Sequence, residues 1–110
     1  MIEDGNMATF QSLGLVDTLL RAVEAEGYES PTPVQEQSIP PLLAGRDVLG
    51  VAQTGTGKTA AFTLPVLQIM DRNKPGGKRH IRALILSPTR ELAAQIDERL
   101  GAYSENMDVR

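Results

Sequence analysis

The first half of the chain contains two stretches that predict α-helices, and in the first of them apolar residues recur at helical spacing. The first stretch predicts a helix over residues 12–26, and Gly27 is placed to end it. After a loop, a second helix is predicted to open at Thr32, which suits the N-cap position, with Pro33 in its first turn. The apolar positions of the first helix are Val16, Leu19, Leu20 and Val23.

The second half of the chain has the helical pattern twice more. A third helix is predicted from Lys58 to about Asp71, and Pro65 inside it should kink or loosen it. Thr89 is expected to cap a fourth helix. The apolar positions of that helix are Leu92, Ala93, Ile96 and Leu100.

Two short apolar runs between these helices have the character of buried strands. They occupy residues 47–51 and 82–86. Strands that alternate with helices indicate an α/β fold with a parallel sheet. Because two strands alone do not make a stable parallel sheet, and because Val109-Arg110 looks like the start of a third, we expect the chain to be the front part of a larger domain.

Composition narrows the class of protein. With 110 residues, 41% of them hydrophobic and 23% charged, the chain can form one globular domain with its own core. The absence of cysteine excludes disulfides and thiolate metal sites, and a single histidine, His80, disfavours a histidine metal site. No apolar run approaches the length of a membrane span, and residues 1–8, predicted to be a leader or flexible N-terminus, lack a signal-peptide core. We therefore expect a cytoplasmic protein with no membrane partner.

The charge is distributed unevenly along the chain. The net charge is −3, but residues 1–50 carry a balance of −6 whereas residues 72–99 carry a balance of +4. The basic part could face phosphates, and it could equally be a solvated surface.

Residues 52–59 read Ala-Gln-Thr-Gly-Thr-Gly-Lys-Thr and lie between a predicted strand and the third helix. This is the setting of a phosphate-binding loop, in which glycine N–H groups and a helix N-terminus face one anion. Lys58 would reach the outer phosphates of a nucleoside triphosphate, and the Thr59 hydroxyl would hold Mg²⁺. The strict pattern has glycine in place of Ala52, and the alternative is a flexible Gly/Thr turn with an incidental lysine.

Four features occur in order along the chain. Phe10 lies seventeen residues before Gly27, and residues 27–35 read Gly-Tyr-Glu-Ser-Pro-Thr-Pro-Val-Gln. The phosphate loop follows at 52–59, and residues 87–95 read Ser-Pro-Thr-Arg-Glu-Leu-Ala-Ala-Gln. Together they closely resemble the upstream aromatic, the Q motif, motif I and motif Ia of DEAD-box RNA helicases, and look most like the bacterial RhlE-type group. The resemblance implies that residues 9–110 are the N-terminal part of the first RecA-like domain, which has a P-loop NTPase fold.

The resemblance also implies that ATP and Mg²⁺ bind. Gln35 would read the edge of adenine, because an amide offers both a donor and an acceptor, so ATP should be preferred over GTP. Phe10 would pack against the adenine face with Tyr28 nearby, and Thr32 would help to hold the base or the loop. The phosphate contacts would come from Gln53, Thr54, Gly55, Thr56, Gly57, Lys58 and Thr59.

Two of these roles have alternatives from the residues alone. Gln35 stands three residues after Thr32, which is also the pattern of a helix capping box. Phe10 could simply staple the first helix onto the core.

Pro88, Thr89 and Arg90 would contact RNA by the same resemblance. They stand where a strand is predicted to end and a helix to begin, so backbone N–H groups are free to meet a phosphate. Such contacts grip the sugar-phosphate backbone and make binding sequence-tolerant and salt-sensitive. The alternative is that Thr89 is an ordinary N-cap and that Arg90 pairs with a carboxylate.

Several family motifs do not occur in residues 1–110. The Asp-Glu-Ala-Asp motif, the Ser-Ala-Thr motif and the second RecA-like domain are expected beyond residue 110, so the parent protein is expected to be an ATP-dependent RNA helicase. This chain alone is expected to bind nucleotide at most, without turnover. An incomplete sheet would have an open edge, so we expect self-association or marginal stability.

Two other classes of protein remain as alternatives. A different P-loop NTPase, such as a kinase or transporter ATPase, is disfavoured by Gln35 and by residues 88–95, which phosphate binding does not require. A non-catalytic module that holds nucleotide or RNA is the second.

Overall fold

The computed structural model of the protein describes residues 9–51, 57–73, 81–105 and 107. Within these residues the chain forms a 3₁₀ turn, Gln11–Leu13, and four α-helices. The helices are α1 (Asp17–Ala25), α2 (Pro33–Leu43), α3 (Lys58–Arg72) and α4 (Arg90–Tyr103). Helix α3 packs against both α2 and α4, and α4 also contacts α1.

The single helix predicted over residues 12–26 is corrected to a 3₁₀ turn followed by α1. Gly14 separates the two elements with a φ of +99°, a conformation that favours glycine. Val16, the N-cap of α1, has no side chain that can cap the helix, and its N–H instead donates to Oε1 of Gln68, 2.8 Å away on α3. Nε2 of Gln68 donates in turn to the carbonyl oxygen of Gly14 at 2.8 Å. A tertiary contact therefore fixes where α1 begins.

The other predicted helix boundaries are confirmed. Gly27 follows the end of α1 with a φ of +84°, and α2 begins directly after Thr32. Helix α3 runs through Pro65, and α4 is capped by Thr89, whose Oγ1 accepts the Leu92 N–H at 3.1 Å. Local sequence signals at helix ends were sufficient for these elements.

The core lies where α1, α2, α3 and the end of α4 meet. It is apolar apart from a few polar side chains, among them Gln35 and Gln68, that are buried beside it. Burial of these apolar side chains is the main favourable contribution to folding. The core residues are Phe10, Leu13, Leu15, Leu19, Ala22, Val23, Ile39, Ala60, Leu64, Leu67 and Tyr103.

The two segments predicted as buried strands are not strands in the described part of the chain. No backbone hydrogen bond joins residues 47–51 to residues 81–86, and Leu49 and Leu84 are 92% and 79% exposed. We therefore correct the prediction of two buried strands for these residues. The physical reason is that the described residues offer neither segment a neighbouring strand to take its hydrogen bonds nor a layer to cover its apolar side chains.

No helix within the described ranges combines the length and the apolar content that a membrane span requires.

Candidate functional site

The start of α2 is a capping box built by Thr32 and Gln35. The Thr32 N–H donates to Oε1 of Gln35 at 3.0 Å, and the Gln35 N–H donates to Oγ1 of Thr32 at 3.5 Å. The capping interpretation of this pair is therefore confirmed. Gln35 is only 3% exposed, so its amide needs partners for both ends.

The second partner of the Gln35 amide is the residue that precedes α3. Nε2 of Gln35 donates to the carbonyl oxygen of Gly57 at 3.1 Å. The two partners fix the orientation of the amide, because the Thr32 N–H can only donate and the Gly57 carbonyl can only accept. The Q-motif residue and the end of the predicted phosphate loop are thus in direct contact.

Gly57 is glycine for two structural reasons. Its φ is +86°, which places it in the left-handed region. A Cβ at this position would also lie 2.3 Å from Nε2 of Gln35 and 3.2 Å from Oγ1 of Thr32. Any larger residue would push the Gln35 amide away from the loop.

Of the predicted phosphate loop, residues 52–59, the structure describes Gly57, Lys58 and Thr59. Gln53, Thr54, Gly55 and Thr56, together with Ala52, lie outside the described residues. Lys58 and Thr59 open α3, with Lys58 exposed and Thr59 half-buried. The first N–H groups of an α-helix have no partner within the helix, and the dipole there is positive, so this end can accept an anion. The carbonyl oxygen of Thr59 accepts the Thr63 hydroxyl at 2.7 Å.

A cleft of about 550 Å³ brings most of the described site residues together. We call it the phosphate-side cleft. Three parts of the chain line it: the loop before α2, the start of α3, and one face of α4. The predicted residues in it are Tyr28, Thr32, Gln35, Gly57, Lys58 and Thr59.

Phe10 does not line the phosphate-side cleft. It is 6% exposed and belongs to the core. It lines instead a second cleft of about 600 Å³, the Phe10-side cleft, with Gly27 and Tyr28. The Phe10 and Tyr28 rings stack at a centroid distance of 6.4 Å and an interplanar angle of 28°. Tyr28 lines both clefts, whereas Phe10 lines only the second.

Arg99 and Tyr103 line the phosphate-side cleft and were missed by the sequence analysis. Nη1 of Arg99 lies 2.6 Å from Oε1 of Glu26, and the hydroxyl oxygens of Tyr103 and Tyr28 are 3.0 Å apart. Burial, reinforced by that hydrogen bond, raises the pKa of Tyr103 above the usual range of a tyrosine. The spacing of four residues on one helix was the available signal, but sequence alone does not reveal what that face meets.

The predicted RNA-contacting residues stand at the start of α4. Pro88, Thr89 and Arg90 are exposed. Thr89 is the N-cap, as one interpretation held. Its backbone carbonyl also accepts the Ser87 hydroxyl at 3.3 Å. No carboxylate of the described residues forms an ion pair with Arg90. The guanidinium is therefore available to a phosphate as far as these residues are concerned.

The fold is similar to solved structures of helicases. The chain matches the crystal structure of the RNA helicase Prp28 from Chaetomium thermophilum bound to ADP, with a TM-score of 0.82 and 41% identity over 94% of this chain and 25% of that one. It also matches a DEAD box protein from the hyperthermophile Methanococcus jannaschii, with a TM-score of 0.77 and 36% identity over 86% of this chain and 25% of that one. These neighbours are RecA-like domains of DEAD-box helicases.

A sequence model described as DEAD/DEAH box helicase matches residues 32–110. The chain belongs to the DEAD/DEAH box helicase family. This confirms the resemblance at the level of the family, while the RhlE-type group stays a prediction.

Curated relatives agree with this assignment. The chain is 52% identical over 101 residues to the ATP-dependent RNA helicase CshA of Limosilactobacillus reuteri. The matched region covers 92% of this chain and 20% of that protein. It is 51% identical over 108 residues to the ATP-dependent rRNA helicase RRP3 of Ajellomyces capsulatus. That match covers 98% of this chain and 21% of that protein. The chain thus spans about a fifth of the length of these relatives.

Proposed function

We propose that this chain is the ATP-binding and RNA-binding front part of a DEAD-box RNA helicase that couples ATP hydrolysis to local unwinding of RNA duplexes. One observation carries the proposal: the amide of Gln35 contacts Gly57 beside Lys58 and Thr59, so the Q motif and the start of α3 share one cleft. A phosphate loop alone would require no such contact. Relatives that carry the name ATP-dependent RNA helicase support the activity.

The phosphate end of the cleft suits ATP with Mg²⁺. Gly57 admits close approach of the chain, the first turn of α3 presents N–H groups, and Lys58 adds a positive charge. In the proposal residues 53–59 cradle the phosphates, Lys58 stabilises the charge of the outer ones, and Thr59 holds Mg²⁺ through its hydroxyl. Bound Mg²⁺ would supply charge neutralisation between the outer phosphates.

The adenine role of Gln35 is compatible with its present hydrogen bonds. Among the described residues each end of the amide uses one of its two capacities, since Nε2 has a second hydrogen and Oε1 a second lone pair. In the proposal those remaining capacities meet the adenine edge. Phe10, Tyr28 and Thr32 complete the base pocket, with Tyr28 the residue that reaches both clefts.

The RNA role falls to the start of α4. Pro88, Thr89 and Arg90 would grip the sugar-phosphate backbone through backbone N–H groups and the Arg90 guanidinium. Support comes from the exposure of these residues and from the unpaired state of Arg90 among the described carboxylates.

The remaining parts of the proposal concern the whole protein. Residues 47–51 and 82–86 would become strands of a parallel RecA-like sheet when further strands pair with them. Turnover would need the Asp-Glu-Ala-Asp motif and a second domain, so this chain alone would bind nucleotide without hydrolysing it. A cytoplasmic location also stays a prediction.

A competition titration tests the nucleotide site. A fluorescent adenine nucleotide with Mg²⁺ is bound to this chain and displaced first by ADP and then by GDP. Saturable binding that prefers ADP, and that Lys58→Ala abolishes, is expected. Arg21→Ala, which removes an exposed positive charge from α1, serves as the control and should bind like the parent. Equal displacement by ADP and GDP would contradict the adenine pocket.

A further inference from the structure

The last two turns of α4 contact the end of α1 and the start of the Q motif through two side-chain pairs. Arg99 pairs with Glu26 at 2.6 Å, and the Tyr103 hydroxyl meets the Tyr28 hydroxyl at 3.0 Å. Residues four apart lie on the same face of a helix, so both pairs involve one face of α4. The Tyr28 and Tyr103 rings also make an edge contact, with centroids 6.5 Å apart and an interplanar angle of 61°.

Tyr28 is the residue that this arrangement immobilises. It lines both the phosphate-side cleft and the Phe10-side cleft, so its ring sets the boundary between them. Phe10 stacks on one side of that ring, while the hydroxyl at its far end is held by Tyr103. A half-buried ring that stacks on Phe10 and is hydrogen-bonded at its hydroxyl has less rotameric freedom to lose when a ligand binds.

The two hydroxyls of the pair are not equivalent. Tyr103 is 1% exposed, and the Tyr28 hydroxyl is the hydrogen-bond partner of its hydroxyl among the described residues. Tyr28 is only half-buried, so its hydroxyl can turn to solvent if the partner is lost. Removing the buried hydroxyl therefore frees the Tyr28 ring without leaving a buried polar group unpaired, whereas removing the Tyr28 hydroxyl leaves one.

We propose that Tyr103 is a positioning residue of the nucleotide site, which holds the Tyr28 ring in place for the base through the bond between the two hydroxyls. This inference rests on the proposed function, because it assumes that Tyr28 contacts the base of a bound nucleotide. Tyr103 itself acts through Tyr28. The phosphate end of the site, at Lys58 and Thr59, does not depend on this bond.

Two ligands separate the base from the phosphates in the test. The binding of ADP with Mg²⁺ and of inorganic pyrophosphate with Mg²⁺ is measured by calorimetry on the parent chain, on Tyr103→Phe and on Tyr28→Phe, together with each protein's melting temperature. Tyr103→Phe is expected to weaken ADP binding about threefold to tenfold, the range that follows from the freedom regained by one side chain. Its pyrophosphate affinity and melting temperature should match those of the parent. Tyr28→Phe should lower the melting temperature, because it orphans the buried hydroxyl.

Each other outcome overturns a definite statement. If the parent binds ADP and Tyr103→Phe binds it equally well, the positioning role is wrong while the nucleotide site stands. If Tyr103→Phe weakens ADP and pyrophosphate alike and melts earlier, Tyr103 is structural only, and the inference fails. If the parent binds neither ligand, the proposed function fails and the inference fails with it.

Discussion

The side-chain amide of Gln35 donates a hydrogen bond to the backbone carbonyl of Gly57, 22 residues further along the chain, at 3.1 Å. This bond joins the first turn of α2 to the residue that precedes α3. Since Gln35 is also half of the capping box, one side chain fixes the start of one helix and the approach to another. A substitution of either Gln35 or Gly57 should therefore destabilise the starts of both α2 and α3.

Gly57→Ala is expected to lower both stability and nucleotide affinity. The left-handed conformation costs a residue with a Cβ about 1–2 kcal/mol, and the added atom would also displace the Gln35 amide. Urea denaturation and ADP titration measure the two effects. Gly101→Ala is the matched control, because Gly101 lies in α4 with nothing within 4 Å of a new Cβ. That control should gain about 0.5–1 kcal/mol, and equal behaviour of the two variants would refute the steric argument.

Gln35→Ala is expected to lower the free energy of unfolding and to remove the preference for ADP over GDP. It leaves the Thr32 N–H and the Gly57 carbonyl without their partner, at a cost of about 1–3 kcal/mol. Gln37→Ala, at an exposed position of the same helix, is the control. A variant that melts early but still prefers ADP would leave Gln35 with the capping role alone.

Arg90→Ala is expected to weaken RNA binding by the full-length protein while nucleotide affinity stays unchanged. The exposed guanidinium would contact one phosphate, so the slope of log affinity against log salt should flatten by about one unit. The measurement is an RNA titration at several salt concentrations, with Arg21→Ala as the control. An unchanged slope would remove Arg90 from the RNA contacts.

Stability should fall at alkaline pH because of Tyr103. Burial raises the pKa of its hydroxyl in the folded protein, so the unfolded chain loses this proton at lower pH than the folded one. The free energy of unfolding is therefore unaffected by this ionisation below about pH 10 and falls as the pH rises above it. Urea denaturation between pH 8 and about 11 measures the decline, which Tyr103→Phe should reduce. If the stability of Tyr103→Phe falls with pH as steeply as that of the parent, the fall is caused by other titrating groups.

The chain is expected to self-associate through residues 47–51 and 82–86. Leu49 and Leu84 expose apolar side chains on segments without backbone pairing among the described residues, and such surfaces tend to be covered. Sedimentation over a range of concentrations should reveal species larger than the monomer. Leu84→Lys should shift the balance toward monomer, whereas Gln37→Lys should not. A parent chain that stays monomeric throughout would contradict the expectation.

Local signals predicted most of the helix ends, while the site residues stay a prediction. Thr32, Pro33 and Thr89 stand at helix starts because their effects act within one turn, and Gly27 ends a helix because of its own φ. Gln35, Lys58 and Thr59 were placed together by the order of motifs, and they share a cleft.

Contacts between distant parts of the chain could not be predicted in this way. Nothing in the sequence near Val16 reveals that Gln68 supplies its partner, and nothing near Tyr28 points to Tyr103. The strand predictions failed for a related reason. An apolar run indicates that a segment favours the extended conformation of a buried strand, whereas a strand also needs a neighbouring strand to pair with.

The two hydrogen bonds of Gln68 have a consequence for the order of events during synthesis. They span 52 and 54 residues, so the start of α1 cannot be completed while α3 is still inside the ribosome. Residues 9–25 can at most form transient helix at that stage, because a short isolated helix is marginal in water. We expect this part of the chain to acquire its native structure in one step with α3, after residue 68 has emerged, and not by addition of helices in chain order.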